Sequence, residues 1–325
     1  MRRAVVTGAA GFVGSTLSER LVAEGFDVVG IDCFTDYYPL EIKRSNVADL
    51  VTSSRFRLVD RSLNDGVDDL LPGADVVFHQ AGQPGVRPSW GRSFSAYTRD
   101  NINATQALLE SVARVTPTAK IVYASSSSVY GDADRYPTEE SDLPRPLSPY
   151  GVTKLAAEHL MSLYARNFGL NTVSLRYFTV YGPRQRPDMA FTRFIGRALS
   201  DSPVELFGDG TQIRDFTFVD DIVNANMAAA TQTVEPGAVL NVSGGSHVSI
   251  NEVLTTLGAI LGQEIRVTRR DRATGDVRRT GGSTALAKST ISWQAQTTLK
   301  RGLAAQVDWL KPRVAQYRDA IGLSR

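Results

Sequence analysis

The chain has 325 residues, 42% of them apolar, a formal charge of +2 at neutral pH and a single cysteine. That is enough apolar content for one compact subunit with a large core, and the small net charge gives no reason to expect nucleic acid as a partner. With Cys33 alone there is no intrachain disulfide, and His79, His159 and His247 lack ligand spacing, so no metal is expected. No apolar run reaches the roughly 18 to 20 residues that span a bilayer. Arg2 and Arg3 lead straight into a strand without a signal-peptide core, so no membrane association and a cytoplasmic location are expected.

Residues 3–7 read as a short apolar strand, followed at once by Gly8-Ala-Ala-Gly11-Phe12-Val13-Gly14 and a helix over 15–23 with Leu17 and Leu21 inward. Such a turn suits a pyrophosphate. Gly8 permits the tight bend, Gly11 lets backbone approach phosphate at the positive end of the helix, and Gly14 allows close packing of helix on strand. A second strand, 27–32, ends in Asp32, 18 residues beyond Gly14, where a carboxylate hydrogen-bonds adenosine ribose hydroxyls; NAD is therefore expected over NADP. Further strands are expected at 56–60, 75–79, 120–124 and 171–176, with helices over 99–115 and from Tyr150 to about Phe168. This alternation predicts an α/β chain, a Rossmann-type doubly wound parallel sheet. From Thr179 the pattern breaks at Gly182-Pro183, Pro187, Gly208-Asp209-Gly210 and Gly244-Gly245. We expect a cofactor-binding domain over 1–178, with a segment at about 214–240 returning to it, and a smaller C-terminal α/β substrate domain over 179–325, the two sharing a cleft. The basic run 266–272 reads as a solvated or phosphate-facing surface.

The densest chemical signal lies between Ser125 and Lys154. Tyr150 and Lys154 are four apart on a helical stretch and so share one face. An ammonium beside a phenol favours the phenolate, bringing a tyrosine from its usual value of about 10 toward the operating pH as an acid/base for a substrate hydroxyl. A serine from the run Ser125–Ser128 would orient that hydroxyl.

Five segments together carry a resemblance: VTGAAGFVGS at Val6–Ser15, HQAGQPGVRPS at His79–Ser89, SSSSVYG at Ser125–Gly131, SPYGVTK at Ser148–Lys154 and GDGTQIRDFTFVDDI at Gly208–Ile222. Over essentially its whole length the chain resembles an extended short-chain dehydrogenase/reductase of the nucleotide-sugar epimerase/dehydratase type. The resemblance implies a tightly bound NAD that is reduced and reoxidised within each turnover, a UDP-sugar substrate and a homodimer. It implies Ser126, Tyr150 and Lys154 as the catalytic residues. NAD would lie against Gly8, Gly11, Phe12, Val13, Gly14, Asp32, Asp60, Ala81, Tyr150, Lys154 and Tyr177. In the family the homodimer pairs helices; here these are 99–115 and the Tyr150 helix, with stripes of Ile102, Leu108, Leu109 and Val112, and of Leu155, Leu160 and Leu163. Ser127 and Ser128 stand where dehydratases of this type carry Asp-Glu, which disfavours dehydration.

Residues 178–189 resemble the FTVYGP…RPDM pattern of UDP-glucuronate 4-epimerases, with Thr179 where UDP-galactose 4-epimerases usually have asparagine. A C6 carboxylate calls for a cation and a hydroxyl donor, and a guanidinium can grip it through two parallel hydrogen bonds. Arg186 and Thr179 are the first candidates, Arg184 and Arg87 the second, with Ser127 and Ser128 beside the sugar. Arg214 and Arg272 are expected to hold the diphosphate, as the corresponding family arginines do. The expected reaction is C4 epimerisation of UDP-glucuronate through a 4-keto sugar; UDP-glucuronate decarboxylation and UDP-hexose 4-epimerisation remain as alternatives on the same fold.

Overall fold

The computed structural model describes residues 2–271 and 277–323. Seven strands, β1 (Arg3–Thr7), β2 (Asp27–Asp32), β3 (Phe56–Asp60), β4 (Val76–His79), β5 (Lys120–Ser126), β6 (Asn171–Tyr177) and β7 (Ala238–Val242), form one sheet in the order β7-β6-β5-β4-β1-β2-β3. Every neighbouring pair is parallel. The winding reverses between β1 and β4, and this switch point opens a crevice at the carboxyl ends of the strands, where ligands of doubly wound sheets bind.

Alternation along the strands builds a core on each face. Ala4 and Val6 of β1 point to one side with Leu17 and Leu21 of α1 (Phe12–Ala23), while Val5 points to the other with Leu108, Leu109 and Val112 of α2 (Ala104–Val115). All seven residues of β5 are buried, as befits a strand covered on both faces. On the α2 side lies α3 (Pro149–Phe168), capped by Ser148, whose hydroxyl accepts from Gly151 N–H, and ended by Gly169 in the left-handed conformation. A third core, with Phe191, Ile195, Leu206, Phe216, Leu254 and Leu303, joins α4 (Ala190–Leu199) to the late helices. Beside it, Val204–Phe207 pairs with Val267–Arg270.

Two expectations are corrected. The helix expected over 99–115 is present but not uniform: it continues from Phe94, Thr98–Asn103 is π-helical, and α2 proper starts at Ala104. Leu108, Leu109 and Val112 are fully buried in the intramolecular core, so they offer nothing to a partner subunit, whereas Leu163 on α3 is half exposed. The basic stretch is exposed surface, as expected, and forms a strand in part, with Arg266 paired to Asp201 and Arg270 to Glu205. Arg272 lies outside the described residues.

Beneath the carboxyl end of β5, Glu158 of α3 and Arg176 of β6 form a buried ion pair. The guanidinium donates to both carboxylate oxygens, and its Nη1 donates to the Tyr130 hydroxyl at 2.7 Å. Ser125 donates to Glu158 at 2.7 Å, and Tyr130 donates to Asn241 of β7 at 2.8 Å. Removing one member leaves an uncompensated buried charge. Glu158→Ala is therefore expected to lower stability by about 3 to 5 kcal/mol, read as a fall in urea midpoint; a loss under about 1 kcal/mol would show that the pair does not hold these strands together.

Candidate active site

The crevice is a cleft of about 780 Å³ running from the glycine turn, past Ser126 and Tyr150, to the Val204–Phe207 strand. At its first end Gly8 has φ +68°, and a Cβ there would meet Ala81 N at 2.8 Å; a Cβ on Gly14 would fall 2.1 Å from Gly8 O. No side chain caps α1 at Gly11, and the first-turn residues Phe12, Val13 and Gly14 line the cleft. A backbone cradle at a helix N-terminus is what a pyrophosphate requires, so these residues fit a dinucleotide. Asp32 closes β2 with its carboxylate accepting from Ala10 N–H at 3.0 Å and Phe34 N–H at 2.8 Å. Burial pushes its pKa up, while Lys43 and those two amides oppose the rise. Asp60 is exposed at the end of β3 and does not line the cleft, where Arg61, Ser62, Leu63 and Asn64 stand instead. Ala81 lines it, its N–H donating to Thr7 Oγ1 at 3.1 Å, and Tyr177 lines it with a hydroxyl engaged by Gln80 and Asn226.

At the middle of the cleft Ser126, Tyr150 and Lys154 come together. Tyr150 is the second residue of α3, where the partial positive charge of the helix terminus favours a phenolate. The charge balance differs from the expectation that Lys154 lowers the phenol. Burial raises the Tyr150 pKa, opposed by the Ser126 hydroxyl and by the Arg186 guanidinium. Burial also lowers Lys154 to about 8, and its Nζ donates to Ala124 O at 2.9 Å. The protein alone thus disfavours charge on both members, and the lysine is fixed to the strand below the tyrosine.

Toward the far end, Ser127, Ser128, Thr179, Arg87, Arg186 and Arg214 all line the cleft. Arg87 stacks over the Phe207 ring at 4.3 Å. Arg214 donates to Ile213 O and Val277 O, which turns it along its own strand pairing. Arg184 is corrected as a candidate: its guanidinium pairs with Glu19 of α1, outside the cleft lining. Arg186 points into the cleft but is held by Asp188, through two hydrogen bonds of 2.9 Å.

Several residues that position the walls of the site escaped the sequence reading. Asn101, buried in the π turn, accepts from Gln83 N–H at 2.6 Å and donates to Thr153 Oγ1 at 2.9 Å, tying the loop after β4 to α3. A break in the helical pattern is a poor signal, since π turns have no sequence period of their own. Gly151 was legible only as part of a motif; a Cβ there would meet Ser128 O at 2.6 Å, so this glycine brings α3 against the serine turn. His79 is buried between Thr7 and Thr105, accepting from one hydroxyl and donating to the other, and burial lowers it to about 3.

The sequence matches the NAD dependent epimerase/dehydratase family over residues 4–243. It is 41% identical over 308 residues to the uncharacterized UDP-glucose epimerase YtcB of Bacillus subtilis, covering 94% of this chain and 97% of that protein. It is 33% identical over 315 residues to the UDP-glucuronate 4-epimerase of Thermodesulfobacterium geofontis, covering 95% and 96%. The crystal structure of the UDP-glucuronic acid 4-epimerase of Bacillus cereus, in complex with UDP-glucuronic acid and NAD, superposes with a TM-score of 0.92 at 41% identity over 96% of this chain and 99% of that one. Glycine cradle, Asp32 and the Ser126–Tyr150–Lys154 grouping are thus found on a chain that aligns end to end with these enzymes: it belongs to the NAD dependent epimerase/dehydratase family.

Proposed function

We propose that the protein epimerises UDP-glucuronate at C4 to UDP-galacturonate, using tightly bound NAD. The observation that carries this reading is Arg186. A guanidinium faces the same cleft as the Tyr150 hydroxyl, close enough for its charge to act on it, and Thr179, Ser127 and Ser128 line that cleft with hydroxyl groups. A neutral hexose has no use for a cation there, whereas a C6 carboxylate does.

Bound in the glycine cradle, NAD would supply the hydride acceptor for C4. The chain supplies the rest. As the phenolate, which the positive end of α3, the Ser126 hydroxyl and the Arg186 guanidinium favour against burial, Tyr150 takes the C4 hydroxyl proton, and Ser126 fixes the direction of that transfer. Lys154, anchored on Ala124 O and lining the same cleft, would hold the nicotinamide ribose. The resulting sugar has a C4 carbonyl one carbon from the carboxyl-bearing C5. Such β-keto acids lose carbon dioxide when the breaking bond aligns with the carbonyl π system, so the hydroxyl and guanidinium groups must hold the carboxylate out of that alignment. Epimerisation then requires the ring to turn about its diphosphate linkage while the nucleotide stays anchored, with Arg214 as the candidate anchor, so that the hydride is returned to the other face of C4 and Tyr150 gives its proton back to the C4 oxygen.

Purified protein incubated with UDP-glucuronate, with NMR identification of the product, tests the reading; turnover of UDP-glucose alone would overturn it. Tyr150→Phe is expected to retain NAD and fold while turnover drops to a few per cent of wild type or less, and the nucleotide released on denaturation is expected to be NAD. Arg186→Ala should raise KM for UDP-glucuronate about tenfold or more, as for a lost charge-assisted contact of roughly 1.5 to 3 kcal/mol, with UDP affinity unchanged. Thr179→Ala should be milder in binding and yield some pentose product.

The same reading includes a homodimer working in the cytoplasm. Supporting the dimer, α3 carries the exposed Val152, Leu163 and Phe168, and Trp90, Phe94 and Leu147 adjoin Val152 in one apolar depression. A monomeric mass at micromolar concentration would refute it.

A further inference from the structure

We propose that Asp188 is a positioning residue that both aims Arg186 and tempers its grip on the sugar carboxylate, so that the carboxylate can be released when the ring turns. This rests on UDP-glucuronate being the substrate.

The pairing is set locally. Pro187 stands between the two residues, and Met189 N–H donates to Arg186 O at 3.1 Å, closing a turn just before α4. The ion pair is side-on: Nε donates to Asp188 Oδ1 and Nη2 to Oδ2, each at 2.9 Å. Tyr37 donates to Oδ2 at 3.3 Å, and its ring lies 5.7 Å from the guanidinium carbon, so aspartate and arginine are both braced from the β2 side. With that edge occupied, Nη1 makes no hydrogen bond among the described residues, and the edge formed by Nη1 and Nη2 is left for a second carboxylate. Asp188 and Arg186 line the cleft together with Tyr150 and Thr179. Their side chains are 36% and 18% exposed, so the pair is only partly screened by solvent.

A substrate carboxylate arriving at Nη1 and Nη2 meets a cation already balanced by one carboxylate, and feels repulsion from Asp188 across the guanidinium. Its binding is weaker than to a lone arginine. Weak binding here serves turnover, since C6 leaves one position and takes another when the keto sugar presents its second face, and a tight clamp would hold one face only. A neutral hexose, or UDP without sugar, feels neither term.

The test uses the NAD-loaded enzyme. Asp188→Asn preserves shape and one acceptor for the guanidinium while removing the charge. It is expected to lower KM for UDP-glucuronate about threefold and to lower kcat as well, with UDP affinity unchanged. Asp188→Glu, which restores charge, should lie nearer wild type in both constants. A KM for UDP-glucuronate that is unchanged or raised in Asp188→Asn overturns the proposal, and if that variant does not fold, Asp188→Ser is read by the same criterion. Wild-type enzyme inert toward UDP-glucuronate would instead remove the substrate reading, and this proposal with it.

Discussion

Glu158 and Arg176 sit with 4% of each side chain exposed, each charge satisfied by the other and by neutral donors and acceptors around it. A buried pair of this kind is costly to form and far more costly to leave half made, so it tolerates one arrangement of its strands and helix and few others. The candidate catalytic groups inherit that arrangement. Glu158 is one helical turn beyond Lys154 and two beyond Tyr150 on α3, while its partner Ser125 immediately precedes Ser126 on β5. From Tyr130 the same network reaches Asn241, whose N–H donates to Glu140 and whose side chain donates to Thr138 O. Thr138 in turn bonds Gly281, so the ion pair links the sheet, α3 and the late part of the chain through one set of buried contacts.

Above this base Tyr150 and Lys154 are held in a state that favours neutrality. Burial pushes the Tyr150 phenol up and Lys154 down to about 8. The groups that favour the phenolate, Ser126, Arg186 and the terminus of α3, are each anchored from a different direction. Catalytic power at such a site comes from placing donors before charge develops, at no cost of rearrangement when it does. Gly151 contributes by what it lacks: without a Cβ, α3 can lie against the serine turn closely enough for Ser126 to act on the phenol.

The cleft is divided in the way the reaction requires. One end is built of backbone, the glycine turn and the first turn of α1, and grips by shape and amide hydrogen bonds. The other end is built of side chains, Arg87, Thr179, Arg186 and Arg214, most of them already engaged within the protein. A rigid cradle suits a cofactor that stays bound, whereas pre-engaged arginines suit a sugar that must move between two poses while its nucleotide is retained.

Much of this was legible in the sequence because it depends on local spacing. The glycine turn, Asp32 at the end of β2, the strands up to β6 and the shared face of Tyr150 and Lys154 follow from periodicities and intervals of under 20 residues. Those features are fixed by backbone geometry, which a short segment carries with it. Contacts between segments distant in sequence were not legible. The pairing of Arg184 with Glu19, the tie between Asn101 and Thr153, the burial of Leu108, Leu109 and Val112, and the absence of Asp60 from the cleft all depend on which surfaces meet. The direction of the Tyr150 shift depended on the same thing: spacing puts an ammonium on the same helix face as the phenol, but only packing decides how much water is removed from both, and here desolvation outweighs the Ser126 hydroxyl and the Arg186 guanidinium. Sequence determined which groups are present and on which face of each element they lie; tertiary structure decided what each faces across the cleft, because burial and partnership are properties of the assembled surfaces.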